Sequence, residues 1–465
     1  MCAPFRARFP QPLRLSAWLF GLALLTGCAG TGERPQPPQI QPPEQFTTRI
    51  EAGADDQPWW QLAADASLQA GLQNLLNDNP QIRIDARAVA ASRARMNLAE
   101  AERWPELNAS AAAGADRNDG DDSDSRSLGL DASLPLDVFG RLAATRDAAA
   151  FDLAGDLAQL EQTRLEQVQA FLLAKIDDAE AAALSALIEQ QVDTAKTLLK
   201  LTELRFAQGL VSSVDVLQQR EQLASLKQQL PAATLQRRLA NNQLDALLGR
   251  APRLQLPPAP SLPLVSKGFA TASPARLLER RPDLIAQRAA LAARDQRYEA
   301  ALRARLPEAS LSASALLRSV SGDTASLLGI AAQASVAVFD SGRLQAGIDE
   351  QAALLEQAGS QYLQSWLSAV RETDDLANRV NSGEQQVALS QQASRAAEDL
   401  FAAARRRYER GVSDYLPVIN ALRSLQTQQR SHLALLAEQQ RLIVRLHTAM
   451  GLPRGQAAEH TGERP

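Results

Sequence analysis

The chain says nearly the same thing twice, at a fixed offset of 202 residues. Asn79-Pro80-Gln81 answers to Arg281-Pro282-Asp283, and Arg103-Trp104-Pro105-Glu106 to Arg305-Leu306-Pro307-Glu308. Gly140-Arg141-Leu142 answers to Gly342-Arg343-Leu344, and Arg205-Phe206-Ala207-Gln208-Gly209 to Arg407-Tyr408-Glu409-Arg410-Gly411. Four anchors hold one register without an insertion. The period is too long for a solenoid of ~20–50-residue repeats. It marks a duplicated large unit, so the fold must offer two equivalent stations for every motif.

Within repeat 1 (66–250) the apolar stripe of Leu72, Leu75, Leu76, Ile82 and Val89 predicts helix over about 66–103. Pro80 should kink it or split it in two, and Trp104-Pro105 closes it. The period then changes from that of a helix to two. Leu107, Ala109, Ala111 and Ala113 alternate, Asp116 to Ser125 is a polar loop, and alternation resumes through Leu128, Leu130, Ala132, Leu134 and Leu136. That pattern is a β-hairpin over about 106–138. Repeat 2 (276–452) matches it over about 308–340, with Leu311, Ala313, Ala315 and Leu317, a loop near Ser319-Asp323, then Leu328 through Val338.

No proline follows Gly140-Arg141 until Pro231, and apolar residues recur at spacings of four and three: Leu153, Leu157, Leu160, then Ile188, Val192, Ala195, Leu199. Repeat 2 offers Leu363, Leu367 and Val370. This is coiled-coil spacing. It predicts long helices over about 141–208 and 343–410, each roughly 100 Å at 1.5 Å per residue. The chain turns at Gly209-Leu210-Val211-Ser212, where Ser212 or Ser213 suits an N-cap, and returns as helix over about 213–248; the counterpart is 414–450. Abundant Ala, Leu, Gln and Arg with only 4% aromatics suits such rods. A Pro-rich connector, 251–275, joins the repeats, and the tail 453–465 has no apolar pattern.

Several function classes drop out. A net charge of −4 offers no basic surface for nucleic acid. The cysteines are Cys2 and Cys28, and His432, His447 and His460 stand far apart, so nothing suggests an enzyme, a metal site or a bound cofactor. Arg6, Arg8 and Arg14 followed by the apolar run Leu15–Leu25 make residues 1–27 a secretory signal. It ends Leu25-Thr26-Gly27-Cys28, the pattern of a bacterial lipobox, which would place a diacylglycerol and an N-acyl chain on Cys28; the alternative is an ordinary signal with a chance cysteine. Residues 28–65 then form a lipidated tether, Pro- and Gln-rich from Thr31 to Pro58.

Four strands of about ten residues would suit a membrane, but a closed barrel needs about eight or more. Either the hairpins are soluble or several chains share one barrel. The aromatic girdle of a membrane barrel is absent from the pattern.

With Trp59-Trp60, Leu136-Asp137-Val138-Phe139-Gly140-Arg141, Arg280-Arg281-Pro282-Asp283, Val338-Phe339-Asp340-Ser341-Gly342-Arg343 and Arg407-Tyr408-Glu409-Arg410-Gly411-Val412 in this order, the mature chain resembles the TolC-like outer-membrane factors. The likeness is to the lipoprotein (NodT-type) branch that serves resistance-nodulation-division efflux pumps. The resemblance implies a mainly α fold with a transmembrane β-barrel: a homotrimer with a twelve-stranded barrel on an α-helical periplasmic cylinder. It implies a passive duct in the outer membrane of a Gram-negative bacterium, lipid-anchored and partnered by a periplasmic adaptor and an inner-membrane transporter. An export duct for type I protein secretion, a coiled-coil adaptor and a soluble scaffold are the alternatives. The adaptor fits poorly, because it has one helical hairpin between β-rich domains, and a scaffold has no use for the hairpins.

Two sites follow from the resemblance. The turns Gly209, Leu210, Val211, Ser212 and Gly411, Val412, Ser413, Asp414 look like the tips that meet an adaptor hairpin, although their glycines could simply end helices. Leu416, Asn420 and Arg423 share a helical face where the family places its periplasmic constriction; an ordinary coiled-coil face is the alternative. The family commonly has aspartate at the middle position and sometimes at that of Pro417, so Asn420 implies an uncharged gate. After the first turn comes Val214-Asp215-Val216, after the second Leu416-Pro417-Val418, which suggests an outer rod for docking and an inner one that narrows the tunnel. Trp59-Trp60 reads as packing. Asp119, Asp121, Asp122 and Asp124 lack calcium-loop spacing. Arg405-Arg406-Arg407 reads as a solvated face, with adaptor contact as the second reading.

Overall fold

Proline and glycine punctuate the chain into two equivalent series of elements. The computed structural model describes residues 34–35, 38, 40–48, 66–118, 121–262, 273–320 and 323–451. The first series is α1 (Ala66–Asp78), α2 (Pro80–Ala101), β1 (Glu106–Asn118), β2 (Asp121–Leu136), α3 (Arg141–Ala207) and α4 (Ser213–Leu247). The second is α5 (Pro274–Arg280), α6 (Pro282–Arg303), β3 (Glu308–Val320), β4 (Asp323–Ser335), α7 (Arg343–Glu409) and α8 (Tyr415–Met450). The signal segment 1–27, Cys28, Trp59-Trp60, Asp119 and the tail 453–465 lie outside the described residues.

Pro80 splits the first helix rather than bending it, and Asn79 caps the new start. Its side chain accepts from the backbone N–H of Gln81 and Ile82 at 2.9 and 3.1 Å. Its amide nitrogen also donates to the carbonyl of Leu247 at the end of α4, at 2.7 Å. In repeat 2, Arg281 stands at the equivalent place and donates to the carbonyl of Ala449 at 3.1 Å. Arg281 also pairs with Asp283 and Glu372 at 2.8 and 2.9 Å. Burial opposes its charge, but the bonds and charges of these carboxylates outweigh burial and raise its pKa. Each return helix ends in a positive-φ glycine against the start of its own repeat. A Cβ on Gly249 would lie 3.0 Å from the carbonyl oxygen of Asp78, and one on Gly451 only 2.4 Å from that of Arg280. Asn79-Pro80-Gln81 in repeat 1 and Arg281-Pro282-Asp283 in repeat 2 are therefore the joints that close each repeat on itself.

The long helices α3 and α7 are 67 residues each, roughly 100 Å. α3 packs against α2, α4 and α6, α7 against α6 and α8, and α8 reaches across to α3. The main core lies where the two repeats meet, with Leu75, Leu165, Phe171, Leu172 and Ile176 against Leu376, Val380, Ile443 and Val444. A second core, Leu198, Phe401, Tyr408, Tyr415, Val418 and Ile419, holds the far end. Pro231 sits inside α4 without ending it; its position is exposed, so the carbonyl it leaves unbonded can face water.

The described stretch of the tether, around 40–48, is not free. Ile40 and Phe46 pack beside Leu277, Leu284 and Trp366. Arg34 pairs with Asp295 at 2.7 Å, and the backbone N–H of Thr47 donates to Asp374 at 3.0 Å. The start of the connector is likewise fastened, by Arg253 to buried Asp245 at 2.8 Å and by Arg237 to the carbonyl of Pro257 at 2.6 Å.

Candidate functional site: sheet edges, sheet faces and helical tips

The four strands form one antiparallel meander, β1-β2-β3-β4. Hairpins of different repeats meet because β2 pairs with β3, Leu128 opposite Leu317 and Ala132 opposite Ala313. Within the described residues β1 and β4 have no neighbour on their outer edges. Each is thirteen residues long, enough to cross a membrane on a tilt, for which about 9–11 suffice. Long unpaired edges are templates for another chain.

The alternation sorts the two faces. Leu107, Leu130, Ala313, Ala315, Leu328 and Ile330 lie side by side on one face. Leu328 and Ile330 are 88% and 83% exposed. The opposite face presents Ser110, Asp131, Ser133, Ser310, Ser312, Ser314 and Gln333. An apolar face this open needs lipid or a partner to cover it, whereas the polar face can line water. Among the described residues no helix is long and apolar enough to cross a membrane. Exposed Trp104, Phe139 and Phe339 flank the end of the sheet where the strands join the helices.

At the far end of the rods, Gly209 and Gly411 both take left-handed φ, +73° and +75°, a conformation that disfavours a side chain. Leu210 and Val412 are exposed there, at 60% and 66%. Ser212, rather than Ser213, is the cap of α4: it accepts from the Asp215 N–H at 3.3 Å, and Asp215 accepts the Ser212 N–H at 2.9 Å. Asp414, the residue before α8, makes no side-chain cap, and the Ser413 hydroxyl donates to the Asp414 carbonyl at 3.3 Å.

The two tips are joined by Arg205 and Tyr408, marked in the sequence only as anchors of the echo, and by Tyr415 and Gln219, which it did not single out. The Arg205 guanidinium lies over the Tyr408 ring, 4.4 Å from its centroid, and also donates to the Tyr408 carbonyl. Tyr408 meets Tyr415 edge to face at 6.0 Å. The Tyr415 hydroxyl donates to Gln219 Oε1 at 2.6 Å, and burial pushes its pKa well up, with Tyr408 adding to the effect. One signal for this junction was in the echo itself: where repeat 1 has Phe206 and Ser213, repeat 2 has Tyr408 and Tyr415.

Leu416, Asn420 and Arg423 all lie on the exposed side of α8. Arg423 turns aside. Its guanidinium donates to Gln222 Oε1 at 3.0 Å and pairs with Glu221 at 3.3 Å, tying α8 to α4. Leu416 and Asn420 are left as the outward groups. Among the described residues no cluster of His, Cys, Asp or Glu could hold a metal.

A duplicated rod-and-strand unit with an open, two-faced sheet at one end and a pair of helical tips at the other is the plan of a membrane channel component. The family model described as outer membrane efflux protein matches residues 71–250 and 274–452, once per repeat, and the chain belongs to that family. It is an outer-membrane efflux protein of channel type. It is 28% identical over 459 residues to the pyoverdine export outer membrane protein OpmQ of Pseudomonas aeruginosa, covering 93% of this chain and 96% of that one. To the solvent efflux pump outer membrane protein SrpC of Pseudomonas putida it is 30% identical over 467 residues, covering 93% and 97%. The fold matches a crystal structure of CusC with TM-score 0.81 at 24% identity, over 90% of this chain and 99% of that one.

Proposed function

We propose that three copies close a twelve-stranded barrel in the outer membrane and that the chain serves as the passive exit duct of a tripartite efflux pump. The single observation that carries this is the sheet: four strands with two unpaired edges and one bare apolar face cannot persist alone in lipid, where each unpaired backbone group costs several kcal/mol. Pairing β4 of one copy with β1 of the next satisfies both edges at once. The apolar faces then turn to lipid and the serine-rich faces to the lumen. Cys28 carries the lipid anchor, a role in keeping with the name of a relative, the probable outer membrane lipoprotein SilC of Salmonella typhimurium.

In this reading the rods form the periplasmic cylinder, the turns at Gly209–Ser212 and Gly411–Asp414 receive a periplasmic adaptor, and energy comes from an inner-membrane transporter. No catalysis and no cofactor take part. Leu416 and Asn420 narrow the tunnel by an uncharged ring. The cargo is small molecules; relatives are named for pyoverdine, solvent, toluene and cation export.

Native mass spectrometry of the detergent-extracted protein should give three chains, and planar bilayers should show discrete conductance steps. A monomer without conductance would sink the barrel. Cys28→Ser should abolish labelled palmitate incorporation. Gly209→Trp should keep the oligomer and its export to the outer membrane while stopping drug efflux in cells.

A further inference from the structure

The end of α7 concentrates positive charge that nothing in the fold uses. Arg406, Arg407 and Arg410 are exposed and have no side-chain partner among the described residues. The acids around them are engaged elsewhere: Glu409 by Arg405 at 2.7 Å, Glu203 by Arg220 at 2.8 Å, Glu221 by Arg423 at 3.3 Å, and Asp215 by the Ser212 cap. Asp414, and Glu398 and Asp399 about two turns back along α7, are unengaged among the described residues. A helix end welcomes some positive charge because of its dipole, but α3, equally long, has only Arg205 in its last turn. The positions in repeat 1 equivalent to the three arginines hold Leu204, Arg205 and Gln208. Arginines three and four apart on a helix repel one another, so the cluster is a local cost in a chain whose net charge is −4.

We infer that Arg406, Arg407 and Arg410 form a docking stripe for an acidic helical surface, the tip of the partner's hairpin bearing Asp or Glu three and four residues apart. This deepens the adaptor reading of the tips and rests on it. Arg406 and Arg410 stand at i and i+4, Arg407 and Arg410 at i and i+3, so the stripe covers one turn, about 6 Å of rise. Exposed Val412 and Leu416, at 66% and 59%, are on the same tip. A rigid one-turn stripe beside apolar residues fits a helix carrying carboxylates at matching spacing, and the planar guanidinium binds carboxylate with two parallel bonds. A lipid surface makes no demand for such register.

The test uses the full-length protein in nanodiscs and three probes: a designed antiparallel helical hairpin with glutamates at its bend, the same hairpin with lysines there, and phosphatidylglycerol vesicles. The glutamate hairpin should bind at least tenfold more tightly than the lysine hairpin. The triple substitution Arg406→Gln, Arg407→Gln, Arg410→Gln should erase that difference and flatten its salt dependence, while Arg→Lys at the three sites should restore part of it. In cells the Gln triple should lose efflux as Gly209→Trp does. If Gly209→Trp stops efflux and the Gln triple does not, the tip reading stands and the acidic partner is overturned. If Gly209→Trp transports normally, the tip reading itself fails. Vesicle binding that depends on the three arginines, without hairpin discrimination, assigns them to a membrane instead. A triple variant that no longer assembles like the wild type assigns them to contacts between copies, and either result overturns the inference.

Discussion

The joints of the two repeats have stayed alike while their tips have parted. At the joints, Asn79 and Arg281 reach carbonyls 202 residues apart, Leu247 and Ala449, and Gly249 and Gly451 press against carbonyls at the same offset, Asp78 and Arg280. At the tips, Phe206 is 48% exposed but its counterpart Tyr408 is fully buried. Leu204 faces solvent where the other copy has Arg406, and Ser213 opens α4 where Tyr415 opens α8. Backbone lies on backbone at the joints, so only glycine fits there and drift is costly. The tips meet largely through side chains, Arg205 over Tyr408 and Tyr415 on Gln219, and of these positions all but that of Arg205 differ between the two copies.

Seven substitutions would break or sharpen that contrast. Gly451→Ala should be the most damaging. Its backbone, φ 84° and ψ −158°, lies in a region open essentially only to glycine, and the new Cβ would strike a carbonyl. About 3 kcal/mol or more should be lost, read as a large fall in melting temperature of the extracted protein. Gly249→Ala should cost less, about 1–3 kcal/mol for left-handed strain with a looser contact. Equal losses would mean that the joints are closer copies than their distances indicate.

Arg281→Ala should cost about 1–3 kcal/mol, because it removes the bond to the Ala449 carbonyl and leaves partly exposed Asp283 and Glu372 without their shared cation. Asn79→Ala should cost about 1–2 kcal/mol, the loss of a cap and one bond. At the tips, Tyr415→Phe should remove about 1–2 kcal/mol by stranding Gln219, whereas Ser212→Ala, on the exposed side, should cost about 1 kcal/mol. A larger loss at Ser212 would place more of the tips' stability in the exposed cap than in the buried Tyr415–Gln219 contact. The smallest change in stability belongs to Asn420→Asp, on an exposed position of α8. It should instead alter single-channel conductance and add sensitivity to divalent cations, and no change in either would remove Asn420 from the constriction.

Much of the fold was legible because two periods differ so plainly. Alternation at Leu107–Ala113 and Leu128–Leu136, and four-three spacing from Leu153 onward, fall where β1, β2 and α3 run. Pro80 and the Gly209 turn could be placed from backbone chemistry alone. The candidate site was legible only in part. Leu416, Asn420 and Arg423 share a side of α8 as their spacing requires, but spacing could not foresee that Glu221 and Gln222 draw Arg423 toward α4. Nor could it foresee Arg205 lying over Tyr408, because their contact joins helix ends about two hundred residues apart.

By itself the sequence determined the duplication, the order of helices and strands, and the places where the chain turns, since each is set by neighbours a few residues away. The tertiary structure alone decided that β2 pairs with β3, that one sheet face is left bare and two edges open, and which arginines are occupied and which are free. Those depend on how distant segments meet, and local periodicity holds no record of which long helix will lie beside which.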